Sequence, residues 1–286
     1  MLPPYELRPT PKAGRNLPAA IGVGVTLFAL VAAGLLWVPW LFVATAAFAL
    51  CMGVIEVGGA LRRKGFNPEV APIAVGTVLS VLLSYAAAQW DLKFAPEGMV
   101  VIVLGTTVLV VLAMRVFRGQ DGFIADLAAS ALLIAYLPLL GGFMPLTMTS
   151  TDGALRMWLI LICSIASDLG AYIVGVLIGR HKMAPTISPS KTWEGFAGGV
   201  LFATAAAVVG SVFLLGAPWW VGIPLGVLVS LASVVGDLVE SLIKRDAGLK
   251  DMSNLLPGHG GWMDRLDALI LAVPVGWVVL YLTIGA

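Results

Sequence analysis

Two pairs of carboxylates flank a basic, glycine-rich segment in the last fifth of this 286-residue chain. Asp237 and Glu240 are three positions apart, so a helix places them on one face, and Asp264 and Asp267 repeat that spacing. The cations of the segment are Lys244, Arg245, Lys250 and Arg265. Carboxylate oxygens suit a divalent cation, whereas lysine and arginine suit phosphate oxygens. The residue types therefore predict a site for a divalent metal and a polyphosphate.

The same segment has a plainer interpretation, because a charged loop between membrane helices is often only solvated. Asp237 and Glu240 favour the functional interpretation, since they lie inside an apolar run that could have used leucines. A carboxylate at the centre of a bilayer costs about 2.5–3.5 kcal/mol by insertion scales, and less near the edge. Residues that carry this cost usually face a polar cavity or a partner.

A turn lies between the two carboxylate pairs and reads Pro257-Gly258-His259-Gly260-Gly261. Its glycines allow positive φ angles and a close approach of the backbone to a ligand. His259 either contacts a phosphate or a ribose or only shapes the turn, and the sequence leaves both alternatives open.

The composition is that of an integral membrane protein. Hydrophobic residues make up 59% of the chain and charged residues only 12%, which is too apolar for an ordinary soluble domain. The net charge of +1 argues against nucleic-acid binding. Only two cysteines occur, Cys51 and Cys163, and both lie in apolar runs, so neither a disulfide framework nor a cysteine-based zinc site is expected.

Runs of about 20 apolar residues predict nine membrane-spanning helices and an all-α helical bundle. The predicted spans are 17–37, 39–60, 71–90, 98–117, 124–144, 154–179, 196–216, 218–243 and 266–285. With alternating spans, 15 of the 17 basic residues fall on one side, which predicts a cytoplasmic N-terminus. We divide the chain into a cytoplasmic tail (1–16), N-terminal membrane helices (17–145) and a C-terminal catalytic region (146–286) with cytoplasmic loops 180–195 and 244–265.

Further polar residues lie in or beside the predicted spans. Asp168 lies deep in the sixth span, where an acid can serve a site, a proton relay or helix packing. Ser188 and Pro189 read as a helix N-cap followed by proline at the first helical position, close to Lys191. Glu56 is the notable acid of the first half, and we interpret it as a packing or interfacial residue rather than a catalytic one.

The run Ser-x2-Lys-Arg-x4-Lys-Asp-x-Ser-x3-Pro-Gly-His-Gly-Gly-x2-Asp-Arg-x-Asp, from Ser241 to Asp267, resembles the signature of the phosphatidate cytidylyltransferases (CDP-diacylglycerol synthases). The Asp-x-Gly-Ala-Tyr pattern that begins at Asp168 and the segment 188–195 are also similar to that family. The resemblance covers roughly Asp168 to Asp267. It implies that CTP and phosphatidate react to give CDP-diacylglycerol and pyrophosphate at the inner (cytoplasmic) membrane, with the active site facing the cytoplasm.

Carried onto this chain, the resemblance gives roles to its matching residues. The implied catalytic residues are Asp237, Asp264, Lys250 and Arg265. The implied substrate contacts are Ser190, Lys191, Thr192, Lys244, Arg245, Asp251, His259, Gly260 and Gly261. Magnesium is the implied cofactor, and its candidate ligands are Asp237, Asp264, Asp168 and Glu240. A second cation, a homodimer and the acyl-chain preference stay open.

Other functions are weighed against this one. A cation- or proton-coupled transporter would use Glu56, Asp168 and Asp237 as an ion path, but its polar residues should span the bilayer, whereas here they gather on one side. A cytidylyltransferase that acts on another lipid phosphate is a closer alternative. A CDP-alcohol phosphotransferase is disfavoured, because its Asp-Gly-x2-Ala-Arg pattern is missing from the sequence.

Overall fold

The computed structural model describes residues 17–90, 92–256, 258 and 260–285. The predicted tail (1–16) and His259 lie outside these described residues. The described part of the chain is almost entirely helical, which confirms the predicted all-α fold class.

The N-terminal half contains six of the helices. Their bounds are α1 Leu17–Leu36, α2 Pro39–Arg63, α3 Val70–Gln89, α4 Pro96–Phe117, α5 Phe123–Ile134 and α6 Phe143–Thr147. A π-helical turn at Ala135–Leu139 follows α5 and contains Pro138, which cannot donate a backbone hydrogen bond. The predicted fifth span is therefore a continuous segment, Phe123–Thr147, with an irregular middle.

The C-terminal half contains a hairpin and the remaining helices. Their bounds are α7 Gly153–Ile178, β1 Lys182–Ala184, β2 Ser188–Thr192, α8 Trp193–Phe213, α9 Gly222–Asp246, α10 Met263–Leu266 and α11 Leu269–Ile284. A single 3-10 turn, Trp219–Val221, precedes α9. Among the described residues, eight segments are long and apolar enough to cross a membrane, and Ile21–Leu36 within α1 is a shorter apolar stretch.

The segment before α8 differs from the prediction. Ser188 and Pro189 do not start a helix; they lie in β2, which pairs antiparallel with β1. The helix begins at Trp193, because Thr192 takes the N-cap position and its Oγ1 accepts a hydrogen bond from Gly195 N at 3.1 Å. A proline is tolerated in this two-stranded ribbon, since each of its strands is an edge.

The polar connections gather at one end of the bundle. Lys64 Nζ at the end of α2 lies 3.1 Å from Asp246 Oδ1 at the end of α9. Asn67 N donates to Asp126 Oδ1 at 2.7 Å, which ties the start of α3 to α5. At the opposite end, Arg156 donates to the carbonyl oxygen of Gly285. This alternation agrees with the predicted order of spans.

Small residues bring α7, α8, α9 and α11 close together. A Cβ at Gly195 would approach the carbonyl oxygen of Ala171 to 2.8 Å, so the glycine allows α8 to pack against α7. Ser164 and Ser167 of α7 form hydrogen bonds with serines of α9. Gly236 of α9 lies against the backbone carbonyl of Asp267, where no side chain would fit. These contacts place the two carboxylate pairs side by side.

Candidate active site

Three carboxylates meet where α9 approaches the joint between α10 and α11. One oxygen from each of Asp237, Glu240 and Asp267 lies within 4.8 Å of the others. Asp237 and Glu240 share one face of α9, as their spacing predicts. The third member is Asp267 rather than Asp264, although the sequence analysis assigned Asp264 to the metal. Asp267 was visible in the sequence as the second member of the downstream pair and the last residue of the signature.

Two lysines neutralise part of this carboxylate group. Lys191 Nζ of β2 lies 2.6 Å from Asp237 Oδ2. Lys244, one turn further along α9, forms an ion pair with Glu240 and another with Asp264 Oδ1 at 2.8 Å. The two lysines therefore bring the hairpin and the end of α9 to the same group, and their role as substrate contacts stays a prediction.

The group fits a divalent cation. Glu240 is completely buried, and its Oε1 accepts no hydrogen bond from any described residue. A buried carboxylate oxygen without a partner is costly, and a bound cation removes the cost. The donors are all hard oxygen atoms, which is the ligand type that magnesium prefers.

Asp264 holds the loop that joins α9 to α10. Its Oδ2 accepts hydrogen bonds from Met252 N at 3.0 Å and from Gly261 N at 2.8 Å, while its Oδ1 faces Lys244. Both oxygens are thus engaged with this loop and with α9. The role of Asp264 as a metal ligand stays a prediction; its contacts in the structure are those of a loop anchor.

Glu56 of α2 holds the same loop from the other side. Its Oε1 accepts from Ser253 Oγ at 2.6 Å and from Trp262 N at 3.0 Å, and its Oε2 accepts from Met263 N at 2.8 Å. The side chain is only 6% exposed. The sequence analysis interpreted Glu56 as a packing or interfacial residue, and no local motif linked it to a loop about 200 residues further along the chain.

The sequence model of the cytidylyltransferase family matches residues 18–283. This match spans almost the whole chain, both the helices of the first half and the site. The chain belongs to this family.

Individual relatives agree. A protein of Mycobacterium leprae named phosphatidate cytidylyltransferase is 38% identical over 289 residues, which cover 96% of this chain and 90% of the relative. A protein of the same name from Mycobacterium tuberculosis is 39% identical over 280 residues, covering 96% and 85%. Another from Synechocystis is 31% identical over 305 residues, covering 94% and 97%. The resemblance that the motifs indicated is confirmed.

In this cytidylyltransferase-family chain, other predicted residues surround the carboxylate group at different distances. Asp168 is exposed on α7 and lies close enough to Asp237 and Lys191 to interact with both charges. Ser190 is exposed beside Lys191, whereas Thr192 is buried and caps α8.

The remaining predicted residues belong to the loop and its edges. Arg245 donates to the carbonyl oxygens of Ile187 and Leu249, so it ties the hairpin to the end of α9. Gly260 has a φ of +81° and packs against the Asp264 carboxylate, and Gly261 donates to that carboxylate. Lys250 and Asp251 lie at exposed positions of the loop. Arg265 is exposed as well and lines a separate cavity.

Proposed function

We propose that this protein transfers the cytidylyl group of CTP to phosphatidate and so forms CDP-diacylglycerol and pyrophosphate. The observation that carries the proposal is the carboxylate group, defined by Asp237, Glu240 and Asp267, with Lys191 and Lys244 beside it in a membrane-embedded bundle. The printed names of the relatives point to the same reaction. CTP and phosphatidate are both anions, and both need cations at the point where they meet.

The reaction requires little covalent chemistry from the protein. An oxygen of the phosphatidate phosphate attacks the α-phosphorus of CTP, and the bond from that phosphorus to the bridging oxygen of the β-phosphate breaks. Pyrophosphate leaves with the electron pair. Because the attacking phosphate is already ionised near neutral pH, no strong general base is needed. Positioning and charge neutralisation therefore account for most of the catalysis.

In this proposal Asp237, Glu240 and Asp267 would hold magnesium. The bound ion would neutralise charge on the triphosphate and on the departing pyrophosphate. Asp168, on the facing side of α7, is the candidate ligand for a second cation. Asp264 orders the loop between α9 and α10 by accepting hydrogen bonds from Met252 N and Gly261 N.

The basic side chains bind the phosphate oxygens in this scheme. Lys191 and Lys244 already lie beside carboxylates, so they can shift to an incoming phosphate without losing an ionic partner. Arg245 orders the hairpin that carries Lys191. Lys250 extends from the loop towards solvent, where it can meet the outer phosphates of CTP.

The direct test is an assay of the purified protein in detergent with labelled CTP, phosphatidate and magnesium. We expect CDP-diacylglycerol to form and expect Lys191→Gln to raise the KM for CTP by about tenfold, because a charge-assisted hydrogen bond to phosphate is lost. Lys182→Gln, an exposed lysine of the same hairpin, is the matched control and should behave as the wild type.

Magnesium with CTP should also raise the melting temperature of the wild type, since a ligand that binds only the folded state stabilises it. A protein that forms no CDP-diacylglycerol and shows no thermal shift with CTP would contradict the proposed function. A product formed only from another lipid phosphate would move the assignment to that substrate.

The proposed orientation places the site at the cytoplasmic side of the inner membrane. Its basis is the gathering of basic residues at the end of the bundle that carries the carboxylate group. In a background without Cys51 and Cys163, we expect Asn254→Cys to react with an impermeant thiol reagent only after cells are permeabilised. Gln89→Cys, at the opposite end of the bundle, should react in intact cells. The reverse pattern would invert the topology.

A further inference from the structure

An apolar cavity of about 330 Å³ lies between α1, α2, α7 and α11. Its volume falls within the range of ligand pockets, about 300–1,000 Å³. Its walls are almost wholly aliphatic and aromatic, with Phe28, Met157, Trp158, Ile165, Leu269 and Val273 among them. One charged side chain, Arg265, also lines the cavity.

Residues that line the cavity follow α7 from Met157 to Ile165, and Arg265, which also lines it, lies close to Asp267 of the carboxylate group. Ile165 lines the cavity, and Asp168 lies one turn further along the same face of α7, towards Asp237. Met157, eight residues before Ile165, lies about 12 Å deeper along the helix. Val273 of α11 also lines the cavity. The apolar walls therefore extend from the site into the membrane region.

Arg265 has no partner that explains its position. Its guanidinium forms no hydrogen bond or ion pair with any described residue, whereas both carboxylate oxygens of its neighbour Asp264 are engaged. It lies close enough to Asp267 of the carboxylate group to interact with that charge. The guanidinium is exposed, so an anion can reach it, and its planar fork matches phosphate oxygens.

We infer that this cavity holds one acyl chain of the phosphatidate substrate and that Arg265 binds the lipid phosphate at its mouth. The identity of the lipid rests on the proposed function. We choose a phosphate-bearing lipid as the occupant because of charge complementarity. Arg265 beside an otherwise apolar cavity matches an anionic headgroup joined to an acyl chain. This geometry places the attacking phosphate beside Asp267, whereas the sequence analysis named Arg265 only as one of the implied catalytic residues.

The two parts of this subsite contribute differently. A lipid chain leaves one apolar environment for another when it moves from the bilayer into the cavity, so it gains little hydrophobic free energy. The cavity therefore fixes the position of the lipid, while Arg265 supplies most of the selectivity for a phosphate headgroup. A substitution that fills the cavity or removes the charge of Arg265 should therefore change the KM for phosphatidate and leave the KM for CTP unchanged.

Binding is tested without CTP by quenching of tryptophan fluorescence. Phosphatidate with brominated acyl chains is compared with phosphatidylcholine that carries the same chains, at equal mole fraction in detergent. Trp158 lines the cavity, and the difference from a Trp158→Phe variant isolates its signal among the nine tryptophans. We expect phosphatidate to quench Trp158 more strongly than phosphatidylcholine and expect Arg265→Gln to remove the difference. Equal quenching by both lipids would show that Trp158 contacts only the surrounding bulk lipid, and it would overturn the inference.

Kinetics supply the second test. Thr45 lines the cavity, and Thr45→Leu narrows it. Thr106→Leu is the matched control, because Thr106 lines a groove between α3 and α4 instead. In both threonines the hydroxyl donates to the carbonyl oxygen four residues earlier. We expect Thr45→Leu to raise the KM for long-chain phosphatidate more than for a short-chain analogue. Arg265→Gln should raise the KM for both about tenfold. The exposed Arg63→Gln is its control.

The outcomes separate this inference from the proposed function. If the wild type forms CDP-diacylglycerol but Thr45→Leu and Arg265→Gln keep a normal KM for phosphatidate, the subsite is wrong and the proposed function stands. If Arg265→Gln changes only the KM for CTP, Arg265 binds the nucleotide. If no product forms while quenching remains selective and depends on Arg265, the lipid-phosphate subsite stands and the proposed function fails.

Discussion

Replacing Asp237 with asparagine should lower kcat by about a hundredfold or more, because even residues that only support a metal ligand change activity by about 10–100-fold. Asp237 contributes twice in the structure. It is one of the three carboxylates that can hold a cation, and it receives Lys191 from the hairpin. The neutral amide is a poorer ligand for magnesium and a poorer partner for the lysine. The measurement is steady-state turnover across a magnesium titration.

Asp246→Asn provides the control for this substitution. Asp246 lies on the same helix, but its side chain is 71% exposed and pairs with Lys64 away from the carboxylate group. A surface ion pair of this kind contributes about 0–1 kcal/mol to stability. We therefore expect Asp246→Asn to keep normal turnover, and both variants to melt close to the wild type. Full activity of Asp237→Asn, or of the wild type in excess chelator, would refute the metal site.

The membrane helices were predictable because their signal is local. Each span is a run of about 20 apolar residues, and a bilayer permits few alternatives to a helix for such a run. The i, i+3 spacing of Asp237 and Glu240 likewise fixes a shared face as soon as the helix is given. Lys191 was assigned to the same site from a motif, and its ion pair with Asp237 agrees.

The choice between Asp264 and Asp267 could not be made from spacing. Asp264 and Asp267 form one i, i+3 pair, and the motif contains both residues. The spacing therefore does not say which of them faces Asp237 and Glu240. The structure separates them because α10 ends at Leu266 and the chain restarts as α11 at Leu269, so the two carboxylates do not continue one regular helix face. Gly236 then admits the backbone of Asp267 against α9. Such a joint depends on tertiary contacts that no local pattern records.

The hairpin was missed for a different reason. Ser188-Pro189 satisfies the usual pattern of a helix start, but Thr192 satisfies it as well and lies directly before the apolar helix. The pairing of β1 with β2 and the contact of Arg245 with Ile187 decide between the two starts. The role of Glu56 likewise depends on tertiary contacts, because its partners in the loop lie about 200 residues away in the sequence.

Glu56 shows that the first half of the bundle takes part in the site. Through this one carboxylate, α2 fixes both the beginning and the end of the segment that leads from Ser253 to Met263. Asp264 fixes nearly the same segment from within the loop. The loop between α9 and α10 therefore depends on two anchors, one from each half of the chain.

We expect Glu56→Gln to lower both the stability of the protein and its turnover. Glutamine has a single acceptor oxygen and an NH2 group that cannot accept, so at least one of the two backbone donors, the part-buried Trp262 N or the buried Met263 N, loses its partner. A buried donor left without a partner costs about 1–3 kcal/mol. The loop should then open more often, which we would measure as faster hydrogen exchange over residues 251–263, together with a kcat reduced by about tenfold or more.

Ser253→Ala is the graded control for Glu56→Gln. It removes the hydroxyl, which donates to Glu56 and accepts from Leu255 N, and it leaves both backbone hydrogen bonds to Glu56 in place. Its effect on exchange and turnover should lie between those of the wild type and Glu56→Gln. A role in helix packing alone would instead lower the melting temperature and leave exchange in the loop unchanged relative to the rest of the bundle. If Glu56→Gln shows that pattern with normal kcat, Glu56 supports α2 and does not position the loop.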